Sequence, residues 1–248
     1  MKIIFSRKGF DSGSGGSPSP IINNVPVSLP IPSGPAEPYR FVDVFHPTAG
    51  NLGDLVKSKK GITARSRCHF DPQLPWKMGT SSLGQQGAAQ SHLANQGVEK
   101  GDIFVFFGLF QAPGKAPHHR IFGAMSVRKI TTLGPSPKAW MHHGLDRPHP
   151  HTDRLITQKE NNTLYVGRGM MAHSAHPELR LTMPGENPST WNCPDWLARH
   201  GLSYHGNPSR WSPGKLNVVA RGQEFVSDVG LDDDALEWVE QLWKLLIK

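Results

Sequence analysis

Short apolar runs between glycines and prolines dominate the chain, and they predict a fold built mainly from strands. The first run, Ile3 to Phe5, is long enough for one buried strand and ends in a row of polar residues. Two longer runs, at 101–110 and 121–130, are rich in phenylalanine, isoleucine and valine, and they predict a central antiparallel hairpin. Further strands are expected at 41–45, 162–168, 179–182 and 216–228, the last with a break at Gly222.

Helical patterns occur at three places. The segment 81–96 is rich in small residues and glutamine, begins with serines that can cap a helix and ends at Gly97. From Asp232 to Leu246 apolar residues recur every three to four positions, which predicts an amphipathic C-terminal helix packed on the sheet. A short helix is also expected at 51–60.

Together these elements predict an α+β fold. Its centre is a mostly antiparallel, partly barrel-like sheet, with long ordered loops, a small-residue helix near 81–96 and the C-terminal helix. A proline-dense stretch at 17–38 carries interleaved aliphatic residues, which indicates an ordered extended loop rather than a helix or a central strand. The length of 248 residues fits a single domain over 1–248.

Composition narrows the choice of partner. The formal net charge of +7 favours a polyanionic partner such as DNA or a nucleotide. Two cysteines, Cys68 and Cys193, cannot form a disulfide scaffold, so a reduced cytoplasmic location is expected. No apolar run has the length of a signal peptide or a membrane span, and no membrane partner is expected.

The end of the first apolar run carries the first candidate site. Five polar residues there precede a glycine-rich turn at 13–16, whose backbone N–H groups can approach a ligand. The guanidinium and ammonium groups suit phosphate or carboxylate. The candidates for substrate binding and acid–base chemistry in this motif are Ser6, Arg7, Lys8, Asp11 and Ser12.

His69 and Asp71 form a second candidate pair. They alternate around Phe70, so on a strand both side chains point to one side. An imidazole beside a carboxylate can carry out acid–base chemistry or bind a metal, and a surface pair that closes a turn is the structural alternative.

A third candidate cluster lies late in the chain. Arg221, Gln223 and Glu224 interrupt an otherwise apolar strand, where a charge is costly unless it is paired. Gln86 and Gln90, four residues apart on the expected helix, would project together, although two satisfied buried amides explain the same pattern. His205 and Arg210 are substrate-binding candidates in an aromatic, polar loop.

The histidines do not predict a metal site. They lack the His-x-x-x-His spacing of a metal-binding helix, and the cysteines are remote in sequence. The clustered ones are His118, His119, His142, His143, His149 and His151. No metal is therefore expected, and the sequence names no cofactor.

Several motifs together resemble one family. They are Phe-Ser-Arg-Lys-Gly-Phe-Asp-Ser at 5–12, Pro-Ser-Pro-Ile at 18–21, Leu-Pro-Ile-Pro at 29–32, His-Phe-Asp-Pro at 69–72, Gly-Gln-Gln-Gly-Ala-Ala-Gln-Ser-His-Leu at 84–93, Gly-Asp-Ile-Phe-Val-Phe-Phe-Gly at 101–108, Leu-Ser-Tyr-His-Gly at 202–206 and Arg-Gly-Gln-Glu-Phe-Val at 221–226. From Met1 to about Trp243 the chain is similar to the third type of nucleotide-modification-associated domain. The resemblance implies a role in modifying nucleotides or DNA bases, often in phage-related settings, and supplies a process rather than a reaction.

Three functions remain open at this point. The first is a base- or nucleotide-modifying enzyme, a transferase, in which Arg7 and Lys8 hold phosphate, His69 transfers protons, and Asp11, Asp71 or Glu224 acts as base or stabilises a developing cation. A sharper form is glycosyl transfer from NAD to nucleic acid, because an N-terminal strand arginine and the Gln223–Glu224 pair are similar to residues of ADP-ribosyltransferases.

The second function is a non-catalytic reader of modified bases, since the strands at 101–110 and 121–130 are similar to those of PUA, ASCH and EVE domains. The third is a partner subunit of a modification complex, for which the tryptophan-rich C-terminal helix could provide a contact surface.

Overall fold

The computed structural model describes residues 1–11, 13–57, 60–156, 159–219 and 224–248. The strands are β1 (Lys2–Arg7), β2 (Ser19–Ile22), β3 (Val25–Pro26), β4 (Ile31–Pro32), β5 (Tyr39–Arg40), β6 (Phe45–His46), β7 (Gly50–Asn51), β8 (Arg67–His69), β9 (Gly79–Gln85), β10 (Ile103–Gln111), β11 (His118–Thr132), β12 (Thr163–Met171), β13 (Thr190–Asn192), β14 (Trp211–Ser212), β15 (Lys215–Asn217) and β16 (Glu224–Asp228). The α-helices are α1 (Gly87–Asn95), α2 (Asp195–His200) and α3 (Asp233–Leu246). Short 3₁₀ turns lie at Phe41–Asp43, Leu52–Leu55, Trp140–His143, Pro150–Thr152, Pro177–Leu179 and Pro208–Arg210.

One large mixed sheet organises the chain, in the order β16-β1-β10-β11-β12-β9. β1 runs parallel to β10, β2 adds a short parallel pairing to the far end of β10, and the other neighbours along this order are antiparallel. The predicted hairpin is confirmed as β10 and β11, and the expected strand at 162–168 is β12. The sheet does not close into a barrel, so that part of the predicted fold is wrong; β16 and β9 are its two edges.

Alternation along β1 explains how the sheet is buried on both faces. Ile3 and Phe5 belong to a cluster that packs α2 and α3 on one face, together with Trp191. Ile4 points the other way, into a cluster that includes Leu93 of α1. A third, separate cluster holds the proline-rich loops and the β8 segment together around Phe10, Val27, Leu29, Phe41, Val44, Leu52 and Cys68.

The segment 81–96, predicted as a helix, begins as a strand and becomes helical only in its second part. Residues Gly79–Gln85 form the edge strand β9, and the helix begins only at Gly87, where φ is +63°. The small residues of this stretch carry no periodicity of their own, and pairing with β12 (Leu83 opposite Tyr165) decides their conformation. The C-terminal helix is confirmed, with the Asp232 side chain accepting the Ala235 N–H as its cap.

Three other expectations are corrected. The stretch at 41–45 is mainly a 3₁₀ turn, and 179–182 makes isolated bridges to Arg120 and Trp191. Of the short helix expected at 51–60, the described residues form a single 3₁₀ turn at Leu52–Leu55, and 58–59 lie outside the description. The stretch at 216–228, expected as a strand with a break at Gly222, contains parts of two strands, β15 and β16, in different sheets, and 220–223 lie outside the described residues. In the described parts of the chain, no helix is long and apolar enough to cross a bilayer.

We predict that His119 makes stability depend on pH. Its Nδ1 accepts the Trp191 indole N–H at 3.0 Å in the core, and burial followed by the charge of Arg7 lowers the pKa of His119 to about 3. Because an unfolded histidine has a pKa of about 6.5, the unfolded state binds more protons between these values, and stability falls as pH drops below about 6.5. His119→Gln should reduce this slope by roughly 1 kcal/mol per pH unit in urea unfolding between pH 7.5 and 5.

The control for this measurement is His142→Gln, at an exposed position, which should keep the wild-type slope. Other buried histidines, such as His46 and His118, have pKa values lowered in the same direction, so part of the slope remains in His119→Gln. Equal slopes in both variants would contradict the assignment.

Candidate functional site

A polar cavity of ≈270 Å³ lies where β1, β8 and β9 end. Its lining comes from the N-terminal motif, from the His69 segment, from the end of β9 and from the 3₁₀ turn at 150–152. The lining residues are Arg7, Lys8, Gly9, Asp11, Ser14, Ile31, His69, Asp71, Gly84, Gln85 and His151. The cavity therefore gathers five of the site residues named from the sequence.

The alternation of β1 sends its last polar side chains in different directions. The Arg7 guanidinium lies 5.6 Å from the centre of the Phe107 ring and 5.7 Å from that of Phe225, and it donates to the Val219 carbonyl at 3.1 Å. Burial lowers the pKa of Arg7, and the charge of Asp11 opposes that change. Arg7 is thus a cation on one wall of the cavity, and these contacts fix the position of its guanidinium.

Glu224, the first residue of β16, is buried behind that wall. Its Oε1 accepts hydrogen bonds from Ser6 Oγ at 3.1 Å, from Lys8 Nζ at 3.1 Å, and from Gln85 Nε2. Burial raises the pKa of Glu224, while Lys8 and then Ser6 lower it in part. Glu224 does not line the cavity itself, but two of its partners, Lys8 and Gln85, do. Glu224 therefore acts by holding two residues of the cavity wall in position.

His69 lies between two carboxylates. Its Nδ1 donates to Glu37 Oε1 at 2.7 Å, and its Nε2 is 3.8 Å from Asp71 Oδ2. Burial alone would lower the pKa of His69, but Asp71 and Glu37 outweigh it and raise the pKa to about 9. At neutral pH the ring is therefore an imidazolium whose Nε2–H faces the cavity.

Asp71 follows the end of β8, and two groups fix its carboxylate. The Gly84 N–H reaches both oxygens at 3.2 Å, and His149 Nε2 lies 3.2 Å from Oδ1. Burial would raise the pKa of Asp71, but His149 and His69 hold it well below the usual range. Asp71 is thus an ionised carboxylate in a buried position.

His151 lines the cavity beside His69, with the two ring centres 5.3 Å apart. Its Nδ1 lies 2.8 Å from Asn162 Oδ1, and the Asn162 amide also donates to the Gly134 and His151 carbonyls. Burial lowers the pKa of His151 to about 3 even though Asp71 raises it, so the ring is neutral. The ring sits on Gly84, where a Cβ would lie 2.1 Å from its Cγ.

Asp11 lines the cavity from the glycine-rich turn. Its Oδ1 accepts the Ser14 N–H at 2.5 Å, and its carbonyl accepts the Gly16 N–H at 2.9 Å, so the side chain closes the turn as well as facing the cavity. Ser12 lies outside the described residues.

A second cavity of ≈160 Å³ also borders Asp71. It shares Gly9 and Asp71 with the polar cavity, and its walls are mainly apolar and aromatic, with Arg147 as the cation. The aromatic lining residues are Phe45, Phe70, Trp76 and Phe122. Trp76 stacks on His173 with ring centres 4.0 Å apart, which holds its indole in place.

Four of the substrate-binding residues expected from the sequence lie elsewhere. Gln86 precedes α1, and Gln90 accepts a hydrogen bond from the Tyr165 hydroxyl at 2.9 Å inside the fold. His205 is buried, where its Nε2 accepts the Val219 N–H, and Arg210 donates to the Asn217 carbonyl. Arg221 and Gln223 lie outside the described residues.

Four neighbours of the site escaped the sequence reasoning. Glu37 is a single carboxylate between prolines, and nothing local marks it as the partner of His69. Gln85 falls in the segment for which the sequence predicts a helix. His149 and His151 alternate with proline, and Pro150 starts the 3₁₀ turn that points both rings inward; this alternation was the one available signal.

The comparison with family models gives one match. The model for nucleotide modification associated domain 3 matches residues 2–228, so the chain belongs to this family. The family description supports a role in nucleotide or DNA modification and an involvement with nucleotides or nucleic acid. No curated protein and no solved structure matches the chain.

We predict that Lys8 and Glu224 are strongly coupled. Lys8→Met leaves a buried carboxylate and Glu224→Gln leaves a nearly buried ammonium, so each variant should lose about 2–4 kcal/mol of unfolding free energy in urea at pH 7. The double variant should lose less than the sum of the two by about 1–3 kcal/mol. The solvent-exposed pair Lys215–Glu186, at 2.9 Å, is the control and should show a much smaller coupling. Additive losses at Lys8 and Glu224 would contradict the prediction.

Proposed function

We propose that the chain is an enzyme that modifies a base of DNA or a free nucleotide. The observation that carries this proposal is the position of Asp71, an ionised carboxylate that forms a common wall of a polar cavity and an aromatic one. Membership of the nucleotide modification associated domain 3 family supports the substrate class.

The two cavities suit the two halves of a nucleotide. An aromatic pocket with Trp76 offers a stacking surface to a base, because every base has a π-face that aromatic side chains can cover. The polar cavity carries Arg7 and Lys8, whose donors suit phosphate oxygens. A substrate bound in this way places its sugar or its base edge beside Asp71.

His69 and Asp71 supply the acid–base pair of the proposed reaction. His69 presents a proton at Nε2, and Asp71 presents an anion 3.8 Å away. In a dry pocket this pair can protonate a leaving or accepting atom and stabilise positive charge that develops on a sugar or a base. Glu37 would keep the imidazolium oriented through its contact with Nδ1.

Glu224 has a supporting role in this proposal. Its bonded oxygen is occupied by Ser6, Lys8 and Gln85, and its side chain is not part of the cavity lining. An ADP-ribosyltransferase-like reaction would need Glu224 at the substrate, so this geometry favours a different carboxylate, Asp71. The strands that motivate the base-reader alternative are present as β10 and β11, but they lie in an open sheet and not in a barrel.

The proposal predicts a chemical product that depends on His69 and Asp71. DNA from cells that produce the full chain, digested to nucleosides, should contain a nucleoside of altered mass, measured by mass spectrometry. His69→Gln and Asp71→Asn should lower its amount by more than about 100-fold, because each removes one member of the acid–base pair. His142→Gln and Asp54→Asn, at exposed positions, are the matched controls and should preserve it.

Binding measurements separate the enzyme from the reader. Calorimetry with deoxynucleoside monophosphates and anisotropy with labelled oligonucleotides should show that Asp71→Asn still binds while the product is lost. A chain that binds these ligands and yields no altered nucleoside, with wild-type binding in both site variants, would favour the non-catalytic reader.

A further inference from the structure

We propose that His69, Asp71 and His151 bind a divalent transition-metal ion at the floor of the polar cavity. The three side chains come from the end of β8, the residues after it and the 3₁₀ turn at 150–152. One ligand atom from each, two imidazole nitrogens and a carboxylate oxygen, lies within 4.8 Å of the others. Binding of the ion goes beyond the proposed function and does not rest on it.

The hydrogen bonds around the two imidazoles fix which nitrogen faces the cavity. A carboxylate only accepts, so His69 Nδ1 carries a hydrogen toward Glu37 Oε1 at 2.7 Å. The Asn162 amide donates through Nδ2 to two carbonyls, so its Oδ1 must accept the His151 Nδ1 hydrogen at 2.8 Å. Both rings therefore offer Nε2 as the ligand atom. A metal-binding histidine usually donates its other N–H to an oxygen in this way.

The carboxylate is oriented by groups that are not ligands themselves. His149 Nδ1 accepts the His151 N–H at 3.2 Å, so the hydrogen of this ring is on Nε2, which faces Asp71 Oδ1 at 3.2 Å. The Gly84 N–H holds the carboxylate from the other side. The same glycine leaves room for the His151 ring, because a Cβ at position 84 would overlap that ring.

The ligand set selects the type of ion. Two imidazoles and one carboxylate suit zinc, iron, cobalt or nickel, whereas magnesium and calcium prefer oxygen ligands alone. Bonds of about 2.1 Å hold neighbouring ligand atoms roughly 3–3.5 Å apart, so binding draws these side chains together by about 1 Å. The ion takes the place of the proton on His69 Nε2, which is released to solvent, so the metal-bound chain and the acid–base pair are alternative states of the same side chains. Three protein ligands leave positions open toward the cavity.

The test uses the full chain and Co²⁺ alone as the probe. After chelator treatment and dialysis, Co²⁺ is titrated and followed by calorimetry and by its visible absorption, with Zn²⁺ as competitor. We expect one ion per chain, and X-ray absorption of the complex should report two imidazole ligands. His151→Gln and Asp71→Asn should weaken binding by more than about 100-fold, since loss of a supporting contact alone costs 10–100-fold.

A variant that keeps all three ligands protects the test against misfolding. Glu37→Gln keeps an acceptor near His69 Nδ1 but loses the charge, so it should weaken Co²⁺ binding by about 10-fold with native circular dichroism. His142→Gln, an exposed histidine, should bind as the wild type does.

Three results would overturn the metal site: no saturable binding to the wild type, unchanged binding in His151→Gln and Asp71→Asn, or a complex without imidazole ligands. Saturable Co²⁺ binding by a chain that forms no altered nucleoside would support the site and count against the proposed function. Product formation by a chain that binds no metal would count against the metal site and support the proposed function.

Discussion

The structure depends on one buried oxygen, Glu224 Oε1. It accepts hydrogen bonds from Ser6 and Lys8 at the end of β1 and from Gln85 at the end of β9. β9 and β16 are the opposite edges of the sheet, so this single atom connects strands that the backbone ladder leaves apart. An unpaired carboxylate at this buried position would destabilise the fold, and the ion pair with the Lys8 ammonium reduces that cost. The contact that joins the edges also sets one wall of the polar cavity.

Another part of the wall is formed by His69, Asp71 and His151. Glu37 and His149, which do not line the cavity, contact His69 and Asp71. These groups belong to loops, short turns and the short strand β8 rather than to the central sheet. The third apolar cluster, around Phe10, Val27, Leu29, Phe41, Val44, Leu52 and Cys68, packs those loops against one another. Precise placement of the chemistry thus comes from a small loop core beside the main one.

The sequence predicts the parts of this molecule whose pattern is local. The hairpin of β10 and β11, the strand β12 and the helix α3 have strong periodicity and recognisable ends, and all are present. Gly79–Gln85 is small and polar, so its strand conformation comes from pairing with β12 and not from its own residues. The open form of the sheet is also not a local property, because closure would require the two edge strands, β9 and β16, to pair with each other.

The candidate site divides in a similar way. His69 and Asp71 are two residues apart, and their shared direction follows from that spacing. Their partners Glu37 and His151 are separated from them by long loops, whose path no local pattern specifies. His205 is a residue for which the sequence predicts a binding role that the structure does not support. Its neighbours in the sequence are polar, but its side chain is buried and accepts a backbone N–H inside the fold.

The contact between Gly84 and the His151 ring has a consequence for the family as a whole. Any relative that keeps an imidazole in this place must keep a residue without a side chain at the position of Gly84, because the ring occupies the space of a Cβ. The two positions should therefore change together. A relative with a larger residue at the first and no histidine at the second would share the sheet while having a different cavity floor, which makes this pair a marker for dividing the family.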